Sequence, residues 1–201
     1  MPKHLIQGLK RFRAEHFPRY REHYERLVAE GQSPNTLYIG CSDSRVVPDM
    51  LLGTQPGELF IVRNVGNFVP PFEDDDGLHG VSAAIEFGVL ILGVSDIVVC
   101  GHSHCGAIRA LYDAPNAATP HVNRWLELGK DARVEGEVED GMLRLTEQRS
   151  VALQLTHLLT FPMVRERVED GRLALHGWHY IIERGEVLIL DVEHEEFVPM
   201  R

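Results

Sequence analysis

Hydrophobic positions at helical spacing open the chain. Leu5, Ile6, Leu9 and Phe12 fall on one helix face, with Lys10, Arg11 and Arg13 between them. The first thirty residues, rich in Arg and Glu, read as helix that stops near Gly31 and the Ser33-Pro34 pair. The period then changes. Thr36-Leu37-Tyr38-Ile39-Gly40 is a short β-prone run ending at Cys41, and Glu58 to Val62, introduced by the turn signal Pro56-Gly57, is a second. Pro70-Pro71 and the acidic stretch from Glu73 to Gly77 predict a loop. Gly80 to Gly93 predicts an apolar helix, and Asp96 to Cys100 a strand that breaks at Gly101 ahead of a helix starting near Cys105. Residues 140–160 have helical spacing, with Leu143, Leu145, Val151, Leu155, Leu158 and Leu159 directed inward. Leu173 to Ile182 and Val187 to Leu190 predict closing strands joined by a turn at Arg184-Gly185. Strands alternating with helices imply an α/β fold with a central, largely parallel β-sheet flanked by helices. No repeat, low-complexity segment or linker interrupts the pattern, so residues 1–201 are expected to form a single domain with an N-terminal helical arm over 1–31.

Composition narrows the function classes. With 44% hydrophobic and 25% charged residues, the chain has the make-up of a globular domain rather than a disordered or fibrous one. The formal net charge of −10, with no gathered basic run, excludes nucleic acid as the main partner. The longest uninterrupted apolar run, Phe87 to Val94, is far short of the about 20 residues a spanning helix needs. No apolar signal-peptide centre is present at the start, so a cytoplasmic address is expected. Three cysteines, Cys41, Cys100 and Cys105, make a poor disulfide framework and point instead to metal ligation or a catalytic thiol.

Candidate chemistry gathers where open parallel sheets place it, outside the carboxyl ends of strands. Cys41 ends the first strand; His102 and Cys105 straddle a strand-to-helix break. Two thiolates and one imidazole would leave a fourth tetrahedral position open, as catalytic rather than structural zinc sites do. Taken alone, His-x-x-Cys is a weak signal and fits a buried structural Cys and an incidental His better than a metal site. The run Cys41-Ser42-Asp43-Ser44-Arg45 adds a carboxylate and a guanidinium two positions apart, able to pair bidentately. Beside a metal-activated water such a carboxylate would orient the water; elsewhere it would be a surface ion pair.

The combination of Cys-Ser-Asp-Ser-Arg-Val (41–46), Pro-Gly-Glu-Leu-Phe (56–60), Arg63-Asn64 and Gly-His-Ser-His-Cys-Gly (101–106) resembles the β-class carbonic anhydrases. The resemblance runs from about Gln32 to the Gly177-Trp178-His179-Tyr180 segment. It implies zinc, one ion per subunit, on Cys41, His102 and Cys105, with Asp43 and Arg45 as the catalytic pair. It further implies reversible hydration of carbon dioxide to bicarbonate by water that zinc makes acidic, with a pKa of about 7. Gln32, Phe60 and Phe87 correspond to a carbon dioxide pocket, Phe87 standing where the plant-like subclass has Tyr, and Gly106 would leave backbone N–H groups near the substrate. Homodimers or dimers of dimers, with active sites at the dimer interface, are implied as well.

A second, pH-gated subclass binds bicarbonate in a separate pocket of Trp, Arg and Tyr, where this chain has Tyr38, Arg63 and Tyr180. Tyr in place of Trp favours the plant-like, always-open subclass. Two other readings remain: hydrolysis of carbon disulfide or carbonyl sulfide, and a zinc-binding scaffold without turnover. The Gly-His-Ser-His-Cys-Gly-Ala wording also resembles carboxysomal cyanobacterial members, so a bacterial microcompartment is a second expected location. His104 is a candidate proton acceptor or a turn-filling residue, His179 is expected at the surface or packed on the sheet, and Cys100 in the core.

Overall fold

A computed structural model of the chain describes residues 2–200. Met1 and Arg201, included in the expected 1–201 domain, lie outside the described residues. Two units result, divided in sequence between Ser33 and Pro34.

The N-terminal unit is helical: α1 (Lys3–Arg11), a π-helical segment (Phe12–His16) and α2 (Phe17–Glu30). Phe17 stacks on Tyr24, ring centroids 5.9 Å apart, and the Arg21 guanidinium lies over the Phe17 ring. Gly31, at φ +84°, ends the helix in a conformation that L side chains rarely adopt.

The second unit is built on β1 (Thr36–Cys41), α3 (Pro48–Leu52), β2 (Leu59–Asn64), α4 (Gly80–Glu86, running on in π geometry over Phe87–Leu92), β3 (Asp96–His102), α5 (Gly106–Ala110), α6 (Pro120–Leu126), α7 (Asp140–Leu158), α8 (Pro162–Glu169), β4 (Ala174–Ile181), β5 (Glu186–Asp191) and β6 (Glu196–Pro199). Six strands form one sheet in the order β2-β1-β3-β4-β5-β6. The first four run parallel, and the last two return antiparallel as a hairpin-linked edge.

Strand alternation sorts the buried side chains onto two faces. Leu37, Ile39, Ile97 and Val99 join Val151, Leu155 and Leu158 of α7, Ile85 and Val89 of the α4 segment, and Phe161 and Val164 of the α8 region in one core. Tyr38, Val98 and Cys100 form a smaller cluster on the opposite face, with Leu52, Ile61, Trp178 and Tyr180 packed against it.

Several expectations are corrected. Gly101 does not break β3; the strand runs through it to His102. Its missing Cβ is what lets α7 close down, because a Cβ there would meet Val151 Cγ2 at 2.7 Å. Along α7 and its C-terminal cap, Leu145 and Leu159 are exposed, at 47% and 37%. The inward face is filled partly by the polar residues Thr146, Glu147, Ser150 and Gln154. Gln154 accepts from the Val69 N–H and Thr146 donates to the Met142 carbonyl, so burial leaves those groups bonded. Helices α3, α6 and α8 and strand β6 add to the predicted set; each of the three helices has Pro at its first turn, where the missing N–H costs nothing.

Candidate metal centre

The sheet order brings the ligand set together. After β1 the chain crosses to β2 on one side, and after β3 it crosses to β4 on the other, so the carboxyl ends of β1 and β3 diverge around a crevice. Cys41 ends β1 and His102 ends β3. Cys105 caps α5 three residues later. One ligand atom from each of Cys41, His102 and Cys105 lies within 4.8 Å of the others, and all three residues are buried.

Local contacts leave these residues able to hold a metal ion. His102 Nδ1 lies 2.9 Å from the Ser103 carbonyl oxygen, which can only accept, so Nδ1 carries the proton and Nε2 keeps its lone pair. Nε2 is fully buried and meets no hydrogen-bond partner of good geometry. An unpaired nitrogen beside two sulfurs is costly in a closed core and natural in a metal site, and the soft N/S donor set suits zinc. Burial pulls the His102 pKa down, but the nearby Cys41 sulfur outweighs it and the net shift is upward. The two thiols share their protons unequally. A hydrogen bond from the Cys105 thiol, together with His102, pushes the Cys41 thiol down, while the same contact and burial push Cys105 up.

Backbone contacts fix each ligand's approach. Arg63 donates from Nε to the Cys41 carbonyl at 2.9 Å and from Nη2 to the Asp43 carbonyl at 2.7 Å. Its guanidinium is thus spent on the 41–43 backbone. The left-handed φ of +57° at His104 turns its carbonyl onto Arg45 Nη2, 2.9 Å away. Ser103 donates to Glu183 and accepts from the Ile182 N–H, tying the turn to the end of β4. These contacts leave His104 half exposed, with Nε2 3.6 Å from Glu183.

Asp43 and Arg45 form the predicted bidentate pair: Nε to Oδ1 at 2.9 Å and Nη2 to Oδ2 at 2.7 Å, with the Arg45 N–H also on Oδ1. The Arg45 hydrogen bonds hold the Asp43 carboxyl well below the usual carboxylate range. Asp43 Oδ2 stands 4.0 Å from His102 Nε2, beside the ligand cluster. Gly106 follows Cys105 directly, and a Cβ on it would meet nothing within 4 Å, so the backbone there is open.

The proposed pocket residues are placed differently. Phe60 and Phe87 stack with centroids 5.7 Å apart. Phe60 sits opposite Leu37, four residues before Cys41, about 13 Å back along the strand at about 3.3 Å per residue. Gln32 belongs to the N-terminal unit. Cys100 is buried among Tyr38 and Val98, and burial pushes its thiol up to about 11, which makes it inert. His179 is fully buried on β4 and bonded to Glu147, a contact that sequence spacing did not reveal. The available signal was a carboxylate and an imidazole at positions whose periodicity points inward.

Known proteins match this arrangement. A family model described as carbonic anhydrase matches residues 36–187. A carbonic anhydrase of Pseudomonas aeruginosa is 42% identical over 202 residues, covering 98% of this chain and 90% of that protein. Carbonic anhydrase 1 of Escherichia coli O157:H7 is 42% identical over 204 residues, covering 98% and 92%. The solved structure of the β-carbonic anhydrase CcaA superposes with a TM-score of 0.91 at 37% identity, over 99% of this chain and 92% of that one. Tetrameric β-carbonic anhydrases of the ascomycete Sordaria macrospora align with a TM-score of 0.74 at 30% identity, over 94% and 93%.

Proposed function

Since the chain belongs to the β-class carbonic anhydrase family and is therefore an enzyme that interconverts carbon dioxide and bicarbonate, we propose that it works through a zinc ion held by Cys41, His102 and Cys105. The observation that carries this reading is the buried trio itself, with an unpaired imidazole nitrogen among two thiols. When bound, zinc supplies Lewis acidity that brings the pKa of water to about 7. Asp43 accepts a hydrogen bond from the attacking water and orients it. Arg45 keeps that carboxylate ionised and turned away from the ligand position, through two hydrogen bonds to its oxygens and one to the His104 carbonyl. Gly106 leaves room for substrate against the backbone.

The pocket needs a second copy. With Phe60 about 13 Å back from the ligand end of β1, Phe60 and Phe87 serve as the apolar wall contributed by a neighbouring subunit in a homodimer or dimer of dimers, and Gln32 remains the amide donor that the family resemblance implies. Arg63 is committed to the Cys41 and Asp43 carbonyls, which favours the always-open subclass over one that offers this guanidinium to bicarbonate. A cytoplasmic location fits the three free thiols. Among the described residues no helix is long and apolar enough to cross a membrane.

Stopped-flow carbon dioxide hydration on zinc-loaded protein, between about pH 7 and about pH 9 where the activated water ionises, tests the proposal. Turnover across the window supports the open site. Activity only at its alkaline end would show gating by Asp43, and none at any pH with zinc present would move the assignment to another substrate.

A further inference from the structure

Helix α7 delivers to the ligand turn one side chain that the proposal above leaves without a role. Glu147 is only 4% exposed, and buried carboxyl groups are found almost always with partners. Its Oε1 accepts from the Cys105 backbone N–H at 3.1 Å, and its Oε2 lies 3.0 Å from His179 Nε2. His179 is fully buried on β4, in register with Gly101, the residue before His102. One carboxyl group therefore links α7, the turn after β3, and β4.

The placement is set sterically. Val151 lies four residues beyond Glu147, on the same helix face. A Cβ at Gly101 would meet Val151 Cγ2 at 2.7 Å, and one at Gly177 would meet Val151 Cγ1 at 3.0 Å. Two glycines on adjacent strands thus make the trough in which Val151 rests, and one turn earlier on α7 Glu147 stands over Cys105. An apolar residue would fill this space at no desolvation cost, so the carboxyl group is there for what it bonds. Each ligand then has its own support: Arg63 on the Cys41 carbonyl, the Ser103 carbonyl on the His102 ring, and Glu147 on the Cys105 N–H.

We propose that Glu147, held by His179, is a positioning residue of the metal centre: it fixes the Cys105 backbone and thereby directs Cys105 Sγ towards the other two ligands. The inference rests on Cys105 being a zinc ligand. Outer contacts of this kind are worth about 10–100-fold in metal affinity.

The test uses zinc competition with a chromophoric chelator and the absorption spectrum of the cobalt(II)-substituted protein. Glu147→Asp withdraws the carboxyl group by one methylene; Glu147→Gln keeps the reach and an oxygen for the Cys105 N–H. Glu147→Asp is expected to weaken zinc binding by about 10–100-fold and to shift the cobalt bands, while Glu147→Gln stays close to the parent. Parent-like affinity and spectrum in Glu147→Asp would overturn the inference, as would a Glu147→Gln variant that falls equally far. Should Glu147→Asp not fold, His179→Asn, which releases only Oε2, is expected to weaken zinc in the same direction by a smaller factor; no change would overturn the inference. A parent that binds no zinc, or a Cys105→Ser variant that binds it as tightly as the parent, would instead sink the zinc assignment on which the inference rests.

Discussion

Gly101→Ala puts a methyl group where the sheet and α7 leave no room for one. The new Cβ would stand 2.7 Å from Val151 Cγ2, about 0.8 Å inside the close end of the optimum carbon–carbon separation, about 3.5 Å. Val151 cannot swing away, because a β-branched side chain on a helix has one strongly preferred rotamer and this one is fully buried. The helix must move instead, and overpacking of this kind costs about 1–3 kcal/mol. Against it stands the loss of glycine's freedom in the unfolded chain, about 0.4–1 kcal/mol, since Gly101 lies in a strand without positive φ. The net cost is about 1–2 kcal/mol, or a fall in Tm of about 2–8 °C for a chain of this length. Thermal and urea unfolding at fixed protein concentration would read it, with Val151→Ala and the double variant completing a cycle. Val151→Ala alone should cost about 2 kcal/mol for two buried methyl groups and the cavity left. In the double variant the methyl group added at position 101 enters that cavity, so the combined cost should fall short of the sum by about 1 kcal/mol or more. Additive costs, or a Gly101→Ala variant more stable than the parent, would refute the close-packing account.

Asp43→Asn should keep zinc bound and lower kcat by about 10²-fold, the scale of a misoriented reactant; metal analysis beside stopped-flow rates checks both halves. Asp43 is depressed in the folded state by Arg45, so its contribution to stability is complete above about pH 3.9 and is lost only as pH falls through its lower folded value. Arg45→Ala removes that depression, so it should lower stability near neutral pH and flatten the acid limb of the Tm–pH curve relative to the parent, and superimposable curves would refute this. Because the Cys105 thiol is pushed up and must lose its proton to ligate, zinc affinity should fall as pH drops. Chelation should lower Tm by stripping a linkage term of about 2.7 kcal/mol at a free zinc level 100 times Kd. Ser103→Ala removes a buried hydroxyl bonded to both Glu183 and the Ile182 N–H, a loss of about 1–3 kcal/mol by denaturant unfolding. Glu183, held at about 2 by its own backbone N–H and by Ser103, should then titrate nearer its ordinary range by NMR.

The sequence displayed the candidate ligands more clearly than the residues that surround them. Cys41, His102 and Cys105 stood out as soft donor types near predicted strand ends, and Asp43-Ser44-Arg45 as a carboxylate and a guanidinium two positions apart; that pair meets across a turn closed by the Val46 N–H on the Asp43 carbonyl, not in an extended run. Glu147 and His179 did not stand out, since their meeting depends on the seating of α7 upon β3 and β4, a contact across 32 positions that no local period encodes. The same cause misdirected Leu145 and Leu159: helical spacing finds an apolar stripe, but here Thr146, Glu147, Ser150 and Gln154 take the inner face, with Gln154 bonding the Val69 N–H and Glu147 the turn after β3. β6 went unpredicted because Glu195-Glu196 precede only two apolar residues, Phe197 and Val198, and its pairing to β5 defines the strand. Phe60 and Phe87 were assigned by resemblance; the distance of Phe60 from Cys41 within one chain follows from strand register, and Phe87 stacks on Phe60.

The His102 tautomer has a consequence for which ion the cell must provide. With Nδ1 tied to Ser103, Arg63 behind Cys41 and Glu147 behind Cys105, the three candidate donors are aligned by protein contacts before any ion arrives. Intrinsic affinity at such N/S donors rises through cobalt and nickel to copper and falls again at zinc. If the trio holds zinc as proposed, material grown in metal-altered media should carry the ion it was offered, and cobalt would be an optical reporter of a centre that zinc leaves colourless.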